Sequence, residues 1–227
     1  MVAAPTVSLA RMRQVAAGLH TVYGVPPKPR RLPPLDELIL TVLSQHTSDV
    51  NRDRAFDDLK RAFPSWDDVA DVPAPLIARA IRRGGLAPTK AGRIKALLGE
   101  LRAQGRPLDR RVFKGMRAPA LYDLLVALPG VGPKTAACVL LFSLGKPYFP
   151  VDTHVHRIAL RLGLVPPGTD AVRTQVALQR AIAPEEMYAV HMNLIRHGRA
   201  VCDAQRPECE ECVLAPRCPR VGVKTQR

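Results

Sequence analysis

The 227-residue chain has few aromatic side chains: one Trp, four Tyr and five Phe make up 4% of the sequence. Proteins that bind single-stranded nucleic acid stack bases on aromatic side chains, so this small number argues against that class of protein. No apolar run approaches the roughly 18 residues of a membrane-spanning helix, so we expect no membrane partner. The N-terminus has no basic stretch before its short apolar segment, which argues against a secretory signal and predicts a cytoplasmic protein.

Acidic residues are also scarce relative to basic ones. The chain has 34 Lys and Arg against 20 Asp and Glu, a formal net charge of +14. Such a surplus favours an anionic polymer as partner, most often nucleic acid, although an arginine-rich proteome would produce it too. The length fits one large or two small domains. The sequence gives no sign of an oligomer, so a monomer is the default expectation.

Apolar residues recur at helical spacing along almost the whole chain, and no segment alternates as a strand would. The sequence therefore predicts an all-α fold. The buried faces are predicted at Leu35, Leu38, Ile39, Val42 and Leu43, at Ile94, Leu97, Leu98 and Leu101, at Leu121, Leu124, Leu125 and Leu128, and at Val172, Val176, Leu178 and Ile182.

Four of the five cysteines are concentrated near the C-terminus, in the pattern Cys202-x6-Cys209-x2-Cys212-x5-Cys218. Without an export signal, metal binding is favoured over disulfides. Zinc sites usually pair their ligands in two short knuckles, and only one C-x-x-C is present here. The gaps are longer than in a two-cluster ferredoxin run. A cubane iron–sulfur cluster fits best, with Arg206 inside the loop either offsetting its charge or contacting a phosphate.

The segment from Leu128 to Ala136, LPGVGPKTA, is the most informative in the chain. A helix is predicted to end near Leu128, Gly130 and Gly132 permit a tight turn, and Pro133 suits the first turn of a new helix. The resulting helix–hairpin–helix would present backbone N–H groups to a phosphate without base preference. A purely structural helix corner is the alternative.

Lys134 lies in the first turn of that second helix, where a cation opposes the helix dipole. The dipole and burial would lower its pKa and free an amine nucleophile, unless the side chain is a solvated phosphate contact. Asp152 follows this helix by a segment long enough to return to the neighbourhood of Lys134. It is also the predicted N-cap of a helix that begins at Thr153.

Four segments in this order resemble the bacterial endonuclease III family of helix–hairpin–helix DNA glycosylases: LPGVGPKTA, VDTHV, HGR at 197–199 and the cysteine pattern. The similarity runs from about Leu35 to Cys218. It implies two helical domains that flank a DNA cleft. One is a six-helix barrel with the helix–hairpin–helix, at 32–147. The other is a discontinuous domain, at 1–31 and 148–227, that carries an iron–sulfur loop.

The resemblance also implies an activity and its residues. Lys134 would be the nucleophile, Asp152 the catalytic carboxylate, and the four cysteines the ligands of a [4Fe-4S] cluster. The enzyme would remove oxidised pyrimidines from damaged double-stranded DNA and cut the abasic strand through a lysine Schiff base, in association with the nucleoid. A monofunctional glycosylase and a non-catalytic DNA-binding iron–sulfur protein are the alternatives.

Two loops, at 43–49 and 85–87, match the positions where this family inserts side chains into the gap left by a flipped nucleotide; we call them the wedge loops. His46 stands where the family commonly has glutamine, and it can still stack and donate a hydrogen bond. Leu86 suits an apolar wedge. A helix-end histidine and an ordinary buried leucine are the alternative interpretations.

Overall fold

A computed structural model describes residues 5–27 and 31–223. Within these ranges the chain is helical and has no strand, so the predicted all-α fold is confirmed. The helices are α1 Leu9–Tyr23, α2 Pro34–Leu43, α3 Asp49–Ala62, α4 Trp66–Asp71, α5 Ala74–Ala80, α6 Ala87–Ala103, α7 Ala118–Ala127, α8 Pro133–Cys138, α9 Thr153–Arg161, α10 Ala171–Ala181 and α11 Met187–Ala200. Short 3₁₀ turns occupy Arg82–Gly84 and Ala215–Arg217, and α8 continues into a π-helical turn over Val139–Ser143.

The chain divides into two compact units. One, which we call the hairpin unit, is Arg30–Lys146 and contains α2 to α8. The other, the cysteine unit, is formed by Met1–Pro29 together with Pro147–Arg227 and contains α1 and α9 to α11. None of the described helices is both long and apolar enough to cross a membrane.

The core of the hairpin unit is built on α2 and α6. The apolar stripes predicted on these helices are fully buried, with no member more than 1% exposed. Burying one such leucine or isoleucine stabilises the fold by about 1.5–3 kcal/mol relative to leaving it in water. Because α2 also packs against α8, this core fixes the start of α8, where Lys134 lies.

The predicted buried face of α10 is wrong in part. Val172 and Val176 are 52% and 38% exposed, whereas Leu178 and Ile182 are buried. The helix turns a different stripe inward, formed by Thr174, Gln175, Ala177, Leu178 and Ala181. The hydroxyl of Thr174 donates to the Asp170 carbonyl oxygen at 2.8 Å, which satisfies a polar group inside this stripe.

A close contact between α9 and α11 shapes the cysteine unit. Gly198, in the HGR segment, lies so near His154 that a Cβ at this position would be 2.8 Å from the Cβ of His154. Any larger residue at 198 would push the two helices apart. The glycine therefore sets the spacing between α9 and α11, and the cysteine-rich loop follows α11 directly.

Candidate functional site

The hairpin turn joins α7 to α8 as the sequence predicts. The Val131 N–H donates to the Leu128 carbonyl oxygen at 3.1 Å and closes the turn. Gly130 has a φ of +74°, a conformation that side chains rarely adopt, and a Cβ there would meet Arg93 at 3.0 Å. Gly132 is the N-cap residue of α8 and is extended. The glycine at 130 is thus required by both backbone conformation and space.

Lys134 is the second residue of α8 and is half-buried. A carboxyl group that the sequence analysis missed lies near it: Glu37 of α2 is only 8% exposed. The Thr41 hydroxyl donates to Glu37 Oε1 at 3.2 Å. Burial raises the pKa of Glu37, and the Thr41 hydrogen bond and the charges of Arg52 and Lys134 oppose that rise. Glu37 lies outside the apolar stripe of α2 by helical spacing, so the sequence carried no signal that it is buried.

Asp152 belongs to the cysteine unit and is the N-cap residue of α9. Its Oδ1 accepts a hydrogen bond from the Val155 N–H at 2.8 Å, so the predicted capping role is confirmed. The carboxyl group is half-buried. The structure therefore fixes its orientation through the helix that it caps.

His46 and Leu86 are both exposed on the hairpin unit. Leu86 has 56% of its surface in solvent, which rules out the interpretation as an ordinary buried leucine. Both residues have left-handed backbone conformations, with φ of +51° and +50°. The two wedge loops are thus held in shapes that non-glycine residues rarely adopt.

The four C-terminal cysteines line one pocket and are all half-exposed. Among the described residues, no three His, Cys, Asp or Glu side chains are already arranged as metal ligands. Burial raises the pKa of the Cys212 and Cys218 thiols, and the neighbouring cysteines raise it further. Cys212 and Cys218 are therefore harder to ionise than a solvated cysteine.

Two groups from the helices reach these thiols. Arg161 of α9 is buried, and its Nη1 lies 3.3 Å from Cys202 Sγ and 2.5 Å from the Asp203 carbonyl oxygen. His197 Nε2 lies 3.4 Å from Cys212 Sγ. Sequence reasoning found Arg206 inside the loop but missed Arg161, which is 41 residues before Cys202. Arg206 is exposed, and its backbone N–H donates to Asp203 Oδ1 at 2.9 Å.

A family model described as HhH-GPD superfamily base excision DNA repair protein matches residues 39–184. The chain belongs to this superfamily. The match spans the hairpin, Lys134 and Asp152 and ends before the cysteine-rich loop.

Similarity to individual relatives extends beyond that range. The chain is 36% identical to an endonuclease III of Thermotoga maritima, over 82% of each chain. It is 40% identical to a candidate DNA glycosylase of Arabidopsis thaliana, over 83% of this chain but 65% of that longer protein. A solved structure of a non-covalent endonuclease III–DNA complex superimposes with a TM-score of 0.80 at 28% identity, over 95% of this chain and 97% of that one. The resemblance to endonuclease III is therefore confirmed.

Proposed function

We propose that this HhH-GPD protein is a base excision repair glycosylase that removes oxidised pyrimidines from duplex DNA and then cuts the abasic strand as a lyase. The observation that carries the proposal is Lys134 at the start of α8. It lies two residues after Gly132 and is half-buried, and its charge opposes the rise that burial causes in the pKa of Glu37. A lysine at this position of a helix–hairpin–helix supplies an amine that can attack the C1′ atom of the nucleotide sugar.

Three features support duplex DNA as the partner. The net charge is +14, the hairpin turn offers backbone N–H groups at the start of α8, and the superimposed endonuclease III is bound to DNA. Gly130 and Gly132 would let the turn approach a phosphate, and Arg206 adds an exposed cation. Because phosphate contacts release counterions, affinity should fall by about 0.9 log unit per log unit of salt for each phosphate neutralised.

The chemistry begins when the damaged nucleotide leaves the base stack. The amine of Lys134 forms a bond to C1′ while the bond from C1′ to the base breaks, and the proton that the attacking nitrogen loses is taken up by the departing base. Ring opening gives a Schiff base between Lys134 and C1′. Its positive charge acidifies the C2′ proton, whose loss expels the 3′ phosphate by β-elimination. Strand cleavage therefore needs a lysine, which a monofunctional glycosylase lacks.

Asp152 is assigned the carboxylate role by its place in the VDTHV segment. A carboxylate there would stabilise the positive charge that develops on the sugar and assist proton transfer. Its hydrogen bond to the Val155 N–H holds one oxygen in place. His46 and Leu86 would occupy the gap that the extruded nucleotide leaves, since both are exposed.

Cys202, Cys209, Cys212 and Cys218 fit the proposed [4Fe-4S] cluster by their chemistry. They line one pocket, and burial raises the pKa of the Cys212 and Cys218 thiols, so a bound metal centre would stabilise their thiolates. A cluster ligated by the four sulfurs would close this loop as a structural element. The guanidinium of Arg161 at Cys202 would offset part of the negative charge.

Borohydride trapping tests the lyase activity. Wild-type protein mixed with a duplex that contains one oxidised pyrimidine should form a covalent protein–DNA adduct. Lys134→Gln should form none, a loss of at least about 10³-fold in lyase rate, because a nucleophile has been removed. Lys146→Gln is the matched control from the same unit and should trap like wild type. Base release without any adduct in the wild type would indicate a monofunctional glycosylase, and binding without base release would indicate a non-catalytic protein.

A further inference from the structure

Lys90, in the first turn of α6, is only 1% exposed. Lysine is almost never fully buried unless its charge is paired. A cation at this end of a helix also opposes the helix dipole. The position is therefore costly unless other contacts compensate for it.

Three oxygen atoms surround the ammonium group. Lys90 Nζ lies 2.7 Å from each of the Leu43 carbonyl, the Thr47 hydroxyl and the Gly84 carbonyl oxygens. An ammonium has three N–H donors, so each donor has one acceptor. Burial lowers the pKa of Lys90, and Arg93 lowers it further, whereas the three acceptors favour the charged form. We call this arrangement the Lys90 node.

The node joins the two wedge loops. Leu43 ends α2 and begins the first loop, and Thr47 lies within that loop. Gly84 ends the 3₁₀ turn directly before the second loop. The Thr47 hydroxyl also donates to the Gly84 carbonyl oxygen, which adds a direct link. One buried side chain thus fixes the position of one loop relative to the other.

Both loops carry backbone strain next to the node. In the described ranges, His46, Leu86 and Arg220 are the non-glycine residues with positive φ. Two of the three are the exposed wedge residues. A left-handed non-glycine residue costs on the order of 1–3 kcal/mol and persists only where the surroundings hold it. Thr47 follows His46 directly, and Gly84 precedes Leu86 by two residues, so the node is the structure that holds them.

We propose that Lys90 is a positioning residue that holds His46 and Leu86 in register, so that together they fill the gap left by the extruded nucleotide. The proposal rests on the function proposed above. Lys90 does not touch DNA itself, because an ammonium on a side chain 1% exposed cannot reach a phosphate. It acts through the two loops that it joins.

The test compares Lys90→Met with Lys95→Met. Methionine keeps the apolar volume and removes all three donors. Lys95 is the matched control: it lies on the same helix, and its Nζ donates to the carbonyl oxygens of Ala70 and Val72, outside the wedge loops. Three quantities are measured: the single-turnover rate of base excision, the cleavage rate of a preformed abasic site, and the fluorescence of 2-aminopurine beside the lesion, which reports unstacking.

Lys90→Met should slow base excision about 10- to 100-fold and reduce the 2-aminopurine signal, because small misplacements of positioning groups are that costly. Cleavage of the abasic site should change by less than about threefold, since an abasic sugar has no base to unstack and is flipped at a lower energetic cost. Lys95→Met should leave both rates unchanged. In a background of His46→Ala with Leu86→Ala, Lys90→Met should have no further effect, since the residues it positions are already gone.

Equal loss on both substrates, or a full additional loss in the His46→Ala, Leu86→Ala background, would overturn the proposal. If Lys90→Met does not fold, Thr47→Val removes one acceptor of the node and is judged by the same criteria. A wild-type protein that neither excises bases nor cleaves abasic sites would overturn the proposed function and this inference with it. An active wild type with the wrong pattern in the variants overturns the inference alone.

Discussion

In the hairpin unit, the ammonium group of one buried lysine joins the two wedge loops. In the cysteine unit, the C-terminal loop brings four thiols to one pocket. The ammonium of Lys90 has three donors and three acceptors, all within the unit. Burial, together with the neighbouring cysteines, raises the pKa of the Cys212 and Cys218 thiols in the pocket. The first arrangement is complete with protein atoms alone. In the second, the guanidinium of Arg161 lies at Cys202, and the proposed cluster would supply positive charge to all four thiolates.

The largest effect is expected when the cysteine pocket loses a ligand. Cys212→Ser should abolish stoichiometric iron and acid-labile sulfide and destabilise the protein by about 5 kcal/mol or more, because the proposed cluster would contribute its binding free energy to folding. Metal and sulfide analysis of the purified proteins, with urea unfolding, measures both. The wild type should be brown.

Cys138→Ala is the control for that substitution. Cys138 is 2% exposed in the hairpin unit, so its loss costs packing but should leave the iron content unchanged. Stoichiometric zinc in the wild type, or iron retained in full by Cys212→Ser, would contradict the proposal that the cysteine unit holds an iron–sulfur cluster.

A smaller effect is expected from the buried carboxyl group of the hairpin unit. Because burial raises the pKa of Glu37, this residue stabilises the fold most below its ordinary pKa of 4.5, and the contribution is lost as pH rises through the folded-state pKa. Glu37→Gln does not titrate, so its stability relative to wild type should rise between pH 4.5 and neutrality. The change should exceed the roughly 0.5 kcal/mol typical of surface substitutions.

Urea unfolding across this pH range measures the difference. Asp57→Asn, an exposed carboxyl group on α3, is the control and should track the wild type. A Glu37→Gln variant that loses stability relative to wild type as pH rises would show that Arg52 and Lys134 outweigh burial at this position.

The smallest effect is expected at His46, where a single exposed side chain of the wedge loops changes. His46→Gln should alter the preference for the base opposite the lesion by about 1–2 kcal/mol, because the new amide offers different hydrogen-bond groups. Excision assays with each of the four opposite bases measure this. Cleavage of a preformed abasic site should stay within about twofold. Equal losses on both kinds of substrate would remove His46 from the wedge role.

The sequence predicted the features that reside in contiguous motifs. The glycine turn, the start of α8 at Pro133 and the N-cap at Asp152 each depend on local backbone chemistry, and the structure has them where they were expected. The stripes of α2 and α6 were also predicted, because their apolar residues follow the helical period without interruption.

What the sequence did not reveal depends on contacts between distant segments. Lys90 looks like any polar residue of an amphipathic helix, yet two of its partners are 43 and 47 residues away. Arg161 reaches Cys202 over 41 residues. The predicted buried face of α10 is partly wrong because apolar Val172 and Val176 lie in solvent. Polar Thr174 is buried instead, since its hydroxyl is satisfied by a hydrogen bond to the Asp170 carbonyl oxygen.

Peptide mapping of the borohydride-trapped adduct by mass spectrometry tests the assignment of Lys134 as the nucleophile. The reduced sugar should be attached to Lys134, in the peptide that begins α8, and no other lysine should carry it. A sugar on a different lysine would contradict the assigned nucleophile. The absence of any adduct, with the damaged base still released, would contradict the lyase activity.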